Sequence, residues 1–215
     1  MVFGTVTTAL DWIGVVVFAV SGALVASRKQ MDIFGFALLG TATGIGGGTL
    51  RDVLLGQLPV FWVREPAYLV TCVLASTAVF FTAHIARSRY TLLLWFDAVG
   101  LGLYSVTGAE KALLAGAGPT VAVAMGVITA SFGGMIRDVL GAESPTVLSR
   151  EIYVTAALLG AYGFVAVLAL GGPRELAVAV GLLAGFGLRG AALHWGWSLP
   201  RYRARPGGGT TSFEA

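Results

Sequence analysis

Two segments of this 215-residue chain join glycine runs to adjacent opposite charges. One reads Gly44-Ile45-Gly46-Gly47-Gly48-Thr49-Leu50-Arg51-Asp52, the other Ser131-Phe132-Gly133-Gly134-Met135-Ile136-Arg137-Asp138. Consecutive glycines weaken a helix by about 1 kcal/mol each relative to Ala. In lipid, an interrupted helix survives only where its freed backbone groups are buried in protein or line a wet cavity. The Gly44-x-x-x-Gly48 spacing also suits tight helix packing. The charged pairs favour a polar pathway, because intramembrane ionisable residues usually face a bundle interior. Gly46, Gly47, Gly48, Gly133 and Gly134 are therefore expected to be pore-lining breaks whose carbonyls face cations. No resident metal site is expected, only transient cation contact at those carbonyls.

Arg51, Asp52, Arg137 and Asp138 supply the charge. Neighbours on a helix do not face each other, so each is expected to pair with another helix. Lys111 lies at the depth of Arg51 and Asp52, which makes Asp52 its expected partner. An amine in a cation pathway acts as a tethered competing charge and would sense voltage. Ser21 and Thr107, each followed by Gly-Ala, and Tyr104 offer hydroxyls near the same level. Asp11 and Asp97 are expected to begin their helices, where the macrodipole favours a carboxylate. Cys72 reads as a small buried hydrophobe. His84 and His194 lack neighbours at metal-ligand spacing.

Lipid must be the solvent for the elements that position these groups. The chain is 56% hydrophobic and 12% charged, about half the charge of soluble domains. A transmembrane helix needs about 20 mostly apolar residues. Seven spans are expected, at 11–27, 33–55, 67–86, 92–115, 119–140, 151–170 and 173–197. The N-terminus does not resemble a signal peptide: nothing basic precedes the apolar stretch, and Asp11 interrupts it.

A shift of 86 residues aligns the chain with itself. Asp11 falls on Asp97, Gly22-Ala23 on Gly108-Ala109, Arg51-Asp52 on Arg137-Asp138, Pro59 on Pro145 and Arg64-Glu65 on Arg150-Glu151. From 11 to 79 there are 19 identities in 69 ungapped positions, where composition alone would give about 6. Each copy holds three spans, so the second enters the membrane from the opposite face. The expected fold is all-α and integral to the membrane: an inverted pair of three-helix repeats, residues 1–90 and 91–171, then a seventh span at 172–197 and a basic, disordered tail at 198–215. Arg28, Lys29, Arg87, Arg89, Arg150 and the tail arginines collect on one side; Arg64 and Arg174 lie on the other. The first side is expected to be cytoplasmic, with the N-terminus outside.

On Gly46-Gly47-Gly48-Thr49-Leu50-Arg51-Asp52, Gly133-Gly134-Met135-Ile136-Arg137-Asp138 and Thr107-Gly108-Ala109-Glu110-Lys111-Ala112-Leu113, the chain resembles the prokaryotic branch of the trimeric intracellular cation (TRIC) channel family. The resemblance covers about residues 10–197. It implies a homotrimer in the inner membrane with one pore per protomer, conducting K⁺ and Na⁺. The first, second, fourth and fifth spans would bound the pore, and Lys111 would gate it. The second copy departs from the pattern, with Phe132 in place of a third glycine. Some bacterial relatives are described as glycine transporters. The expected function is thus a monovalent cation channel. An alternating-access carrier of glycine or another small solute is the alternative, and a membrane-embedded assembly protein a further one. Membrane lipids and cations are the expected partners; no cofactor, nucleic acid or enzymatic activity is expected.

Overall fold

The computed structural model describes residues 2–85, 88–148 and 151–200. Its helices are α1 (Val2–Arg28), α2 (Ile33–Leu54), α3 (Phe61–Arg64), α4 (Ala67–Thr82), α5 (Arg89–Leu114), α6 (Pro119–Leu140), α7 (Val154–Ala169) and α8 (Arg174–Trp195). Five of them are at least 22 residues long and apolar enough to cross a membrane, and α4 and α7 are apolar helices of 16 residues. These seven are the expected spans. At 1.5 Å per residue α4 and α7 reach about 24 Å. That is short of a hydrocarbon core of about 30 Å, so flanking loops or local thinning of the bilayer must complete them.

Helix boundaries follow local chemistry. Asp32 caps α2, its Oδ1 accepting from the Gly35 amide at 2.8 Å. Ser88 caps α5 by accepting from the Thr91 amide, and Pro119 opens α6, where a missing N–H is harmless. Asp11 and Asp97 are not caps. Both sit well inside their helices and are buried.

The repeats pack about a pseudo-two-fold axis, visible as reciprocal contacts between residues 86 apart. A Cβ on Gly47 would strike the Thr129 carbonyl oxygen; one on Gly133 would lie 2.6 Å from the Thr43 carbonyl oxygen. Gly14 receives the ring of Tyr104, and Gly100 receives the ring of Phe18. Those two rings meet at 5.1 Å. Gly22 packs on Thr43, and Gly108 on Thr129. In both repeats the first helix packs on the second and third, and α1 meets α5 while α2 meets α6. Such exchange of partners is what a two-fold relation requires. Helix α8 packs on α5 and α7, outside the symmetry.

Ion pairs fix which helix ends share a face. Thr7, Glu110 and Arg174 join the starts of α1 and α8 to the end of α5. At the opposite face Arg28, closing α1, pairs with Glu143 beyond α6 at 3.1 Å. Antiparallel insertion of the two repeats follows. Arg87, Arg150 and residues 201–215, with the tail arginines, lie outside the described residues.

Candidate functional site: two charge clusters related by the repeat

Arg51 and Asp52 occupy the last turn of α2 and bond each other, contrary to the expectation of partners on other helices. Arg51 donates from Nε and Nη2 to Asp52 Oδ1 at 2.9 and 2.7 Å. Adjacent Cβ atoms do diverge on a helix, but the long arginine stem lets the guanidinium fold back across the turn. The second carboxylate oxygen accepts from the Phe61 amide at 2.8 Å, which fixes the short α3 over the helix end. The other repeat reproduces this. Arg137 Nε donates to Asp138 Oδ1 at 2.9 Å, and Asp138 Oδ2 accepts from the amide and hydroxyl of Thr146.

Lys111, in the last turn of α5, pairs with Asp11 of α1. Asp52 is not its partner, because Arg51 and the Phe61 amide already occupy that carboxylate. Lys111 Nζ and Arg51 Cζ lie 5.8 and 5.7 Å from the Phe61 ring centroid, within cation–π range. These groups, with Tyr68, line a cavity of about 330 Å³ that also receives Glu65 and Arg64. A neighbouring crevice of about 660 Å³ is larger, but Leu113, Leu114, Phe164 and Leu168 make its walls mainly apolar. The chemistry is concentrated in the smaller space.

At the other end Arg137 is fully paired. Arg137 Nη1 donates to Asp97 Oδ1 at 2.5 Å and to Ser21 Oγ at 2.6 Å. Ser21 belongs to α1, so this bond crosses between repeats. The Arg137 side chain is only 1% exposed. A buried cation is tolerable only with its charge and donors matched, and Asp97, Asp138 and Ser21 do that.

The glycines are not breaks. Helices α2 and α6 run as unbroken α-helix through Gly46–Gly48 and Gly133–Gly134. Each glycine instead admits a neighbour. Gly46 accommodates Ile136, Gly48 the edge of Phe61, and Gly134 the hydroxyl of Tyr153, while Gly47 and Gly133 admit the carbonyls of Thr129 and Thr43. Close packing, the other reading of that spacing, holds at both seams. Tyr104 donates its hydroxyl to the Gly44 carbonyl at 3.3 Å, tying α5 to α2 near the axis. The Thr107 hydroxyl is buried with no hydrogen-bond partner among the described residues.

The structure thus gathers Lys111, Arg51 and Asp52 around one cavity and Arg137, Asp138 and Ser21 in one closed cluster. Asp11 and Asp97, expected from the sequence to be helix caps, belong with them, as do Phe61 and Tyr68, which the sequence does not single out. The signal for the two aspartates was available: a carboxylate inside an apolar run, repeated 86 residues on, marks an intramembrane charge.

The matching family model is described as "Glycine transporter" and covers residues 8–84 and again 94–169. One model therefore recognises each repeat separately. An inner membrane protein of Escherichia coli K12, YadS, is 42% identical over 200 residues, covering 90% of this chain and 94% of the relative. The solved TRIC channel orthologue from Rhodobacter sphaeroides is 62% identical with a TM-score of 0.88, covering 90% of this chain and all of that one. A prokaryotic TRIC channel solved in 0.5 M KCl is 33% identical with a TM-score of 0.84, covering 91% of this chain and 99% of that one. The match in sequence and in fold runs over about nine-tenths of this chain, and the chain belongs to the prokaryotic TRIC channel family.

Proposed function

We propose that this chain is a monovalent cation channel of the inner membrane, with one pathway per protomer between the repeats. The observation that carries this is the charged cavity at one end of the repeat interface, where Lys111 occupies Asp11. Lys111 departs from the internal symmetry, since its repeat counterpart is Val25. A carboxylate facing a wet cavity attracts K⁺ or Na⁺, and the lysine amine is a tethered cation competing for the same place. Moving that amine in the membrane field is worth at most about 2.3 kcal/mol per 100 mV, enough to bias a two-state gate. Arg137, held by Asp97, Asp138 and Ser21, is read as the closed inner end of the pathway. In this orientation the Lys111 end faces outward and the C-terminus is cytoplasmic, as the clustering of Arg28, Lys29 and Arg89 supports. Assembly as a trimer follows the solved Rhodobacter sphaeroides orthologue, a trimeric intracellular cation channel.

The test is a planar-bilayer recording under a K⁺ gradient. Resolved single-channel currents reversing at the cation potential are expected, with open probability and voltage dependence both changed in Lys111→Gln. Unaltered gating in that variant removes the lysine from the mechanism.

One observation favours a second reading. The two ends differ in their bonding, Lys111 and Asp11 lining a cavity at one and Arg137 joined to Asp97 and Ser21 at the other, as in a carrier caught facing one way, and the matching family is described as a glycine transporter. Saturable glycine uptake without resolved currents would select it.

A further inference from the structure

The pseudo-symmetry makes a specific comparison possible. Arg51 corresponds to Arg137, Asp11 to Asp97 and Thr107 to Ser21, each 86 residues apart. The correspondence extends to the third helix of each repeat after one deleted residue. Ser76 sits on Gly40 as Ala161 sits on Gly126, which pairs Tyr68 with Tyr153.

In the second set Arg137, Asp97, Asp138 and Ser21 are all engaged, while the Tyr153 hydroxyl is not. The Arg137 guanidinium reaches Asp97 on its own repeat and Ser21 on the other. None of the equivalent bonds is made at the other end. Among the described residues Arg51 bonds only Asp52, and Asp11 is held by Lys111. The Thr107 hydroxyl is fully buried and unpartnered. A buried donor is kept in that condition against its desolvation cost, so an orphan at the position of a bonded symmetry mate marks an interaction belonging to another state. The cause of the asymmetry is local. Lys111 stands where the first repeat has Val25, so Asp11 has a competitor that Asp97 lacks.

We propose that Arg51, Asp11 and Thr107 form a second clamp, undone in this structure, and that Lys111 keeps it undone by holding Asp11. When the lysine lets go, the Arg51 guanidinium swings onto Asp11 and the Thr107 hydroxyl, repeating the Arg137 arrangement and sealing the cavity. The inference rests on the gated pathway proposed above. It adds that Asp11 has two rival cations and that the outer end closes through arginine, not lysine.

The experiment measures access and needs no flux. Gln57 lines the cavity outside the clamp. Gln57→Cys is reacted with a methanethiosulfonate ammonium reagent in nanodiscs, with the full chain carrying buried Cys72 alone as background. In Lys111→Gln the reaction rate should fall by about fivefold or more, the population change that one gained charge-assisted bond produces. Adding Arg51→Gln should restore the rate, and adding Thr107→Val should recover part of it. A rate in Lys111→Gln equal to or faster than the parent overturns the clamp, as does equal slowing when Arg51→Gln is added. Should Lys111→Gln not fold, Lys111→Met gives the same comparison. Normal K⁺ currents with unchanged thiol rates would sink the clamp and leave the channel. The expected rates without currents would sink the channel and leave the clamp.

Discussion

Gly133→Ala puts the packing of the two repeats under direct test. An added Cβ lies 2.6 Å from the Thr43 carbonyl oxygen, about 0.7 Å inside an ordinary C···O contact of about 3.3 Å. The obstacle is backbone in the middle of α2, so no side chain can rotate away. Helices α2 and α6 must part along the seam that also holds Gly46 and Gly47. Overpacking of this kind costs about 1–3 kcal/mol, while the better helix propensity of alanine returns about 1 kcal/mol. Gly163→Ala in α7 is the matched control, since its Cβ meets only ordinary contacts at 3.5 to 4.0 Å. It should gain up to about 1 kcal/mol from propensity. Reversible unfolding in mixed micelles, followed by tryptophan fluorescence, should therefore separate the two variants by about 1–3 kcal/mol with Gly133→Ala the weaker. Equal stability would refute the argument that these glycines exist to let two backbones touch.

Asp97→Asn leaves buried Arg137 without its main counter-charge and should destabilise by about 3–5 kcal/mol, whereas Ser21→Ala should cost about 0.5–1.5 kcal/mol in the same assay. Asp52→Asn removes the charge that holds the Phe61 amide. Hydrogen exchange should speed up at Phe61 and through α3 while the core of α2 keeps its protection. Glu110→Gln weakens the tie from α5 to Arg174 and Thr7. Unfolding should begin at lower denaturant, by about 1–3 kcal/mol, with little change in K⁺ selectivity.

The duplication was legible because polar landmarks recur at one spacing, and lipid permits few polar residues without a reason. Seven spans followed from hydropathy. Their ends did not: α1 continues upstream of Asp11 because Lys111 neutralises that carboxylate, a contact 100 residues away in sequence. The same ignorance of partners turned Asp97 into a supposed cap when it is the counter-charge of Arg137. The glycine runs misled for a different reason. Helix propensity measures what a glycine loses in water, and it is silent on what another backbone gains by approaching it. The Arg51–Asp52 pair defied a rule of helix spacing because the rule concerns Cβ positions, and an arginine reaches far beyond its Cβ. The match of Tyr68 with Tyr153 stayed hidden in an ungapped comparison, since two residues separate Glu65 from Tyr68 and only one separates Glu151 from Tyr153.

Helix α8 falls outside the duplication, yet it is not an ornament. It brings Arg174 to Glu110 at one face and Arg189 to Glu151 at the other. Cutting the chain back to its six symmetric spans would thus not recover an ancestral minimum. It would take from the buried Glu110 carboxylate its arginine and release the start of α7, so the second repeat has become dependent on a helix that it does not encode.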